Sequence, residues 1–349
     1  MKFDPTKINP VNIIVKMPNW LGDLVMATPV LADLRQHWKD ARLTAMCQSN
    51  VAPLLKCDPH IDEIFSYSRP SGWIHRRQHL EIVSPLENGK YDLGILLTNS
   101  FSSAWWFWRG KVKNRIGFRS GIRSFLLNSA QSFPQFKEKQ HQVITYKTLL
   151  QPLGIPLSDT SPQLYVSSEE ARAAETLLGK HGVALGRHIV VGINPGAAYG
   201  SAKCWPPERF KSITKRLIEN PHLYVVYFGD QIGAPLVADI CRDFPERVIN
   251  LAGKTSLREL IALIQSCSIF LTNDSGPMHI AAALRTPLLA LFGSTNDVKT
   301  GPYAFGQVIH KHVECSPCYK RVCPIDFRCM TRIGVDEVYS ELQKLIAEN

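Results

Sequence analysis

Thr272-Asn273-Asp274-Ser275-Gly276-Pro277-Met278-His279-Ile280-Ala281-Ala282-Ala283 is the stretch on which the reading of this chain turns. The residues before it, 268–271, form a short and mostly apolar run of the kind a buried strand shows. A polar turn follows, and a helix of small residues begins near Pro277. Proline suits the first helical position because its missing N–H would be unpaired there anyway. The amides of Gly276, Met278 and His279 then project from the end of a strand beside a positive helix dipole. That is an anion site, and phosphate is its usual occupant. The plainer reading is a strand–helix turn capped by Asp274 or Ser275.

Outward from this stretch, apolar runs and amphipathic segments alternate. In the second half, strands are predicted at 188–194, 223–228, 248–251, 268–271 and 287–292. Helices fall between them at 207–220, 233–244, 257–265 and 278–284. In the first half, strands are predicted at 11–16, 43–47, 63–67, 91–97 and 115–118. The first helix turns Val30, Leu31 and Leu34 inward, with Pro29 in its first turn or at a kink. Residues 141–153 are also helical. Such alternation predicts an α/β chain with a doubly wound parallel sheet in each half. A Pro- and Ser-rich stretch at 154–162 reads as the linker. The expected organisation is a Rossmann-like domain at 1–160, a second at 161–333, and a C-terminal helix at 334–349.

The chain has 349 residues, enough for two domains. Its 45% apolar and 20% charged content is ordinary for a globular protein. Arg285 interrupts the best candidate membrane span, and residues 1–5 carry no continuous apolar segment of signal-peptide type. A cytoplasmic location is therefore expected. A net charge of +10 points to an anionic partner. No acidic residue occurs between Asp92 and Glu138, an interval that holds Arg109, Lys111, Lys113, Arg115, Arg119, Arg123 and Lys137. The cluster Trp105-Trp106-Phe107-Trp108 lies in the same interval. Cations beside tryptophans serve nucleic acid or an anionic membrane surface, and otherwise form a solvated loop beside a buried aromatic helix.

In open α/β sheets, ligands bind beyond the carboxyl ends of the strands. The loop Asn194-Pro195-Gly196-Ala197 to Pro206 brings small residues that admit a ligand to the backbone, and Lys203 offers a point charge for a diphosphate. Gly229-Asp230 offers an acid for ribose hydroxyls, or simply a helix cap. Gly253-Lys254-Thr255 leads into a helix start at Thr255 or Ser256. No Gly-x-Gly-x-x-Gly follows a first strand and no Walker motif occurs, which argues against a dehydrogenase or NTPase. In the first half Asp23 follows Gly22 at the end of the first strand, placed either to accept a proton or to favour the helix dipole.

These residues carry a resemblance. Asn19-Trp20-Leu21-Gly22-Asp23-Leu24-Val25-Met26, then Asn194-Pro195-Gly196-Ala197 with Lys203-Cys204-Trp205-Pro206, then Asn273 to His279 together resemble the bacterial ADP-heptose–lipopolysaccharide heptosyltransferases of glycosyltransferase family 9. The likeness spans residues 11–333 and is strongest with the branch that adds the second inner-core heptose. It implies a GT-B fold, two Rossmann-like domains facing a central cleft, with the acceptor on the first and ADP-heptose on the second. It implies inverting transfer of L-glycero-D-manno-heptose onto heptose-Kdo2-lipid A with no required cofactor and no catalytic metal. Asp23 matches the general base and Lys203 the lysine on the donor phosphates. Asp274 matches an acid near the donor sugar, and Ser275, Gly276, Pro277, Met278 and His279 match the diphosphate turn. Gly196, Ala197, Gly229, Asp230, Lys254 and Thr255 are candidate nucleotide contacts. Trp20, Gly22, Arg115, Arg119 and Arg123 are candidate acceptor contacts.

The implied setting is a monomer at the inner face of the inner membrane, meeting a lipid-anchored acceptor and no nucleic acid. Two alternatives stand beside this reading. One is a relative that adds a different heptose, such as heptosyltransferase I or III. The other is a basic, zinc-stabilised nucleic-acid-binding protein. The latter draws on Cys315-x2-Cys318-x4-Cys323-x5-Cys329, four thiols that could hold a structural zinc or sit reduced in a packed loop. In the resembled family a similar cluster stands apart from the catalytic machinery.

Overall fold

Leu288-Leu289-Ala290-Leu291-Phe292 carries no polar side chain, and a strand tolerates that only when both its faces are covered. All five residues are buried. The computed structural model describes residues 7–71 and 76–348. Residues 1–6, on which the expectation of no export signal rests, lie outside them. Two compact units meet in sequence between Gln163 and Leu164.

The first unit holds β1 (Asn12–Lys16), β2 (Arg42–Gln48), β3 (Glu63–Tyr67), β4 (Leu93–Leu96), β5 (Asn114–Phe118) and β6 (Ser129–Gln131). The second holds β7 (Ile189–Asn194), β8 (Leu223–Tyr227), β9 (Val248–Asn250), β10 (Ile269–Asn273), β11 (Leu288–Phe292) and β12 (Gln307–His310). Every pairing within the sheets is parallel. The orders are β3-β2-β1-β4-β5-β6 and β12-β11-β10-β7-β8-β9, one topology used twice. The doubly wound parallel fold read from the alternation is present in both units. Each order reverses between its first and fourth strands, which opens a crevice beyond the carboxyl ends of β1 and β4 and of β7 and β10. The edge strands β6 and β12 were not expected. The first is the partly exposed Ser-Ala-Gln, which has no apolar pattern to betray it.

The helix Leu21–His37 follows β1 and buries Leu24, Val25, Leu31 and Leu34. Pro29 lies inside it rather than in its first turn. Proline has no N–H for the carbonyl four residues back. Thr28 Oγ1 donates to that carbonyl, Val25 O, at 2.9 Å instead. Residues 154–162, expected as a linker, are strapped down. Lys147 Nζ donates to Ser158 O at 2.6 Å and Thr160 O at 2.9 Å. The hydroxyls of the same two residues donate to Asp33 Oδ1 at 2.7 and 2.8 Å. Polar composition alone reads as a free loop, but here the polar groups serve a buried lysine and aspartate. The C-terminal helix Val335–Glu348 sinks Val338, Leu342 and Leu345 into the core that Trp205, Tyr227 and Leu271 also build, so it belongs to the second sheet's covering layer.

Candidate active site

In the second unit the loops leaving β7 and β10 are laced together by two asparagines. Asn273 is fully buried. Its Nδ2 donates to Pro195 O at 2.7 Å and its Oδ1 accepts from Trp205 N at 3.0 Å. Asn194 Nδ2 donates to Gly196 O at 2.9 Å and to Ser275 Oγ at 3.3 Å. A buried amide is tolerated only when its donors and acceptor are used, so these bonds fix the two loops against each other.

On that frame Lys203 Nζ lies 2.5 Å from Asp274 Oδ2, with both side chains largely out of solvent. Thr295 Oγ1 donates to the same oxygen at 2.5 Å. The Lys203 ammonium also sits 4.9 Å from the centre of the Tyr199 ring, which Arg321 approaches at 5.4 Å. Tyr199 donates its hydroxyl to Tyr319 O at 2.7 Å, and Ala202 N donates to Arg321 O at 3.0 Å. A Cβ on Gly200 would lie 2.3 Å from that same carbonyl, and its φ of +154° is one that L side chains rarely adopt. The segment 319–321 therefore walls the Lys203 loop. That segment belongs to the cysteine-rich loop, which sequence placed apart from the site.

The helix Gly276–Ala283 starts after Ser275 with Pro277 in its first turn. Ser275 does not cap it: its hydroxyl is engaged with Thr272 Oγ1 at 3.0 Å. Ser275 thus gives the helix start no side-chain cap, an arrangement that suits an external anion. Met278 and His279 are buried at the base of this turn.

Of the expected nucleotide contacts, Gly196 and Ala197 lie on the laced loop. Gly229 and Asp230 follow β8, where Asp230 Oδ1 accepts from Gly233 N at 2.7 Å within the turn before the helix Ala234–Cys241, whose N-cap is Gly233 and which has no side-chain cap. Lys254 donates to Asn250 O at 2.9 Å and lies along the end of β9. Thr255 precedes the true cap, Ser256, which forms a capping box with Glu259.

In the first unit Trp20, 64% exposed, occupies the N-cap position of the helix Leu21–His37, followed by Gly22 and Asp23 in the first turn. Tyr146, from the helix Gln142–Lys147, donates to Asp23 Oδ1 at 3.1 Å. Burial and the Asp23 charge push the Tyr146 phenol well above its ordinary value, so it stays a proton donor. Its position, 123 residues along the chain from Asp23, gave sequence reading no local signal. At the end of β1, Lys16 is buried and donates to Met17 O at 2.7 Å and Asn19 Oδ1 at 3.2 Å, holding the loop that leads to Asp23. Burial pulls its pKa down to about 7.

The three candidate arginines fare differently. Arg115 lies near the amino end of β5, away from the carboxyl-end crevice, and donates to Leu126 O, Val112 O and Lys113 O. It clamps backbone. Arg119 is exposed. Arg123 is 1% exposed and sits at the carboxyl ends of β4 and β5. Its Nη1 donates to Phe118 O at 2.8 Å and Asn99 Oδ1 at 3.2 Å, while its Nε and Nη2 have no hydrogen-bond partner. The two orphaned guanidinium donors are shielded from solvent, leaving a buried positive charge whose natural partner is a carboxylate or phosphate.

The four clustered cysteines are free thiols. Burial and the other three thiols push the Cys329 thiol up. Among the described residues, the set of three or more candidate ligand atoms lying within 4.8 Å of one another is Asp297, His310 and His312, not a trio of these cysteines. Of the two readings of these cysteines, a structural zinc or reduced thiols in a packed loop, the zinc gains no support from this arrangement.

Residues 80–327 match glycosyltransferase family 9 (heptosyltransferase). The chain belongs to this family. Lys203, Asp274 and Arg123 fall inside the matched span, and Asp23 lies before it. The lipooligosaccharide heptosyltransferase 2 of Haemophilus influenzae is 31% identical over 316 residues, 87% of this chain and 89% of that protein. The lipopolysaccharide heptosyltransferase 2 of Escherichia coli K12 is 29% identical, covering 84% of this chain and 85% of its own. The solved structure of E. coli ADP-heptose lps heptosyltransferase II superposes with a TM-score of 0.81 at 27% identity, covering 97% of this chain and 99% of that one. The fold is accordingly of the GT-B class, and the activity of this family 9 member is heptosyl transfer. No helix among the described residues is long and apolar enough to cross a membrane.

Proposed function

We propose that the chain is an inverting heptosyltransferase of the second type, moving L-glycero-D-manno-heptose from ADP-heptose onto the heptose of heptose-Kdo2-lipid A. The observation that carries the donor half is the Lys203–Asp274 pair beside the uncapped helix start at Gly276. A departing diphosphate needs positive charge already in place, and a fixed ammonium with helix amides supplies it. The reaction asks for no metal in the transfer step because that charge comes from Lys203 and the helix. In the acceptor half, the Asp23 carboxylate takes the proton of the acceptor hydroxyl. The freed oxygen attacks the anomeric carbon on the face opposite ADP, and the bond to the phosphate oxygen breaks through an oxocarbenium-like state. The leaving ADP keeps the electron pair, and configuration inverts.

Supporting the second-type assignment, the Haemophilus relative matches more of this chain at slightly higher identity than the E. coli lipopolysaccharide heptosyltransferase 3, at 29% over 81% of the chain. Arg123 is the residue we assign to an acidic group of the acceptor core, a Kdo carboxylate or a phosphate. Exposed apolar side chains of the first unit, Trp20, Trp108, Ile122 and Phe125, together with the exposed Arg109 and Arg119, suit an anionic lipid surface. A monomer acting at the cytoplasmic face of the inner membrane fits this picture. The deciding experiment is transfer from ADP-heptose to defined cores carrying no, one or two heptoses, read by mass spectrometry. Addition of one heptose to the singly heptosylated core alone is expected. Turnover only with the heptose-free or doubly substituted core moves the assignment to the first or third type. In a thermal-shift series ADP should stabilise the protein, with UDP and GDP much weaker.

A further inference from the structure

At the carboxyl end of the second sheet, outside the Lys203–Asp274 pair, three side chains converge. Asp297 opens the short helix Asp297–Thr300 after β11, His310 is the last residue of β12, and His312 lies two residues on. Asp297 Oδ1 is 3.1 Å from His310 Nδ1, and its Oδ2 is 3.5 Å from His312 Nε2. The two imidazole rings lie 4.0 Å apart between centroids.

The hydrogen bonds on the far side of His310 fix its tautomer. Ser316 Oγ donates to Gly293 O at 2.5 Å, so that hydroxyl's proton is committed. His310 Nε2 faces both of these oxygens, Ser316 Oγ at 2.9 Å and Gly293 O at 3.2 Å. A carbonyl and a hydroxyl already donating can only accept, so Nε2 carries the hydrogen. That leaves Nδ1 facing Asp297. It is buried, faces a carboxylate oxygen, and makes no hydrogen bond. A carboxylate oxygen and an imidazole nitrogen 3.1 Å apart share a positive charge, either a proton or a bound cation.

We propose that Asp297, His310 and His312 bind a divalent transition-metal ion of the zinc class, with a water or other small ligand in the remaining position. Ligands about 2.0–2.2 Å from a tetrahedral zinc are separated from one another by about 3.3–3.6 Å. The separation to His312, 3.5 Å from Oδ2, falls within that edge length and the one to His310, 3.1 Å from Oδ1, a little under it, and one ligand atom from each of the three residues lies within 4.8 Å of the others. Two imidazole nitrogens and a carboxylate are a donor set suited to zinc rather than magnesium or calcium. Ser316 and Gly293 are the outer partners that orient a metal-bound histidine. The ion ties the loop after β11 to the end of β12. Thr295, two residues before Asp297, bonds Asp274, so the metal steadies the acid that holds Lys203 without entering the reaction. The site does not depend on which heptose is transferred.

The test uses the full-length chain, stripped with chelator and titrated with cobalt(II) as an optical stand-in for zinc. One ion per chain is expected, with visible tetrahedral bands and no thiolate charge-transfer band. His312→Ala alters an exposed side chain and should abolish stoichiometric binding while leaving the melting curve of the metal-free protein unchanged. Ser316→Ala should weaken binding by roughly 10–100-fold. Cys315→Ser should bind as the wild type does. The proposal is overturned if the wild type retains no stoichiometric ion. It is equally overturned if the ion survives His312→Ala but is lost, with a thiolate band, in Cys315→Ser.

Discussion

Lys203 and Asp274 stand 2.5 Å apart across the point where the strand order of the second sheet reverses, one on the loop leaving β7 and the other on the turn leaving β10. The acid is itself held by Thr295, and the ammonium lies over the face of Tyr199. The lysine is thus positioned from two sides, by Asp274 and by Tyr199, before any donor arrives. Its order is built into the fold rather than recruited from a mobile surface side chain.

Removing the ammonium should therefore cost donor binding in particular. A charge-assisted hydrogen bond contributes about 1.5–3 kcal/mol, so Lys203→Ala should weaken ADP-heptose by about 10- to 150-fold. The acceptor KM should stay within about twofold. Isothermal titration with the donor reads this directly, and an unchanged dissociation constant would take Lys203 out of the diphosphate site.

Asp23→Asn keeps the shape of the side chain and removes its basicity. Turnover should fall by roughly 10²–10⁴-fold with donor binding intact. Tyr146→Phe is the finer test. Its hydroxyl donates to Asp23, which favours the carboxylate, so losing it raises the Asp23 pKa. The acid limb of the kcat/KM profile should move to higher pH in Tyr146→Phe. A profile that keeps its position, with activity lost uniformly, would leave Tyr146 a packing residue only.

How much of this was legible in sequence depended on how local each contact is. The strands and the turn at 272–279 were, because period and composition are local signals. Lys203 and Asp274 were found through short motifs, each on its own loop. Their pairing was not, because it is made by a sheet that brings β7 and β10 side by side from 78 residues apart in register. Tyr146 could not be found for the same reason. Arg115 and Arg123 look alike in sequence, eight positions apart in one basic run. Only the sheet distinguishes them, by placing the first near the amino end of β5 and the second beyond its carboxyl end. The charge run itself was overstated: Lys111 pairs with Glu87 and Lys113 with Asp92, acids that precede the interval in sequence.

Arg123→Gln should act on the acceptor alone. The variant loses the charge and the two unpartnered nitrogens. If those nitrogens meet an acidic group of the core, acceptor KM should rise by about tenfold or more, the scale of a charged hydrogen bond. Donor affinity measured in the absence of acceptor should not move. Equal losses on both substrates would point to a disturbed fold instead.

Lys16 yields a prediction about stability. Its folded pKa is drawn by burial from an ordinary 10.5 to about 7. Below that value both the folded and unfolded chains hold the proton, and the group adds no pH dependence. Above it the folded lysine has released its proton while the unfolded one keeps it. The unfolded state then binds more protons, so stability rises with pH. The neighbouring Cys47 works the other way at higher pH. Burial raises its thiol from 9.0 to about 11, so an unfolded thiol ionises first. The clean window is therefore about pH 7–9. Across it, the unfolding free energy of the wild type minus that of Lys16→Met should climb, approaching about 1.4 kcal/mol per pH unit. Denaturant titrations at three pH values measure that difference. A flat difference would mean that Lys16 stays charged inside the fold, held by Met17 O and Asn19 and by the Tyr67 ring beneath it.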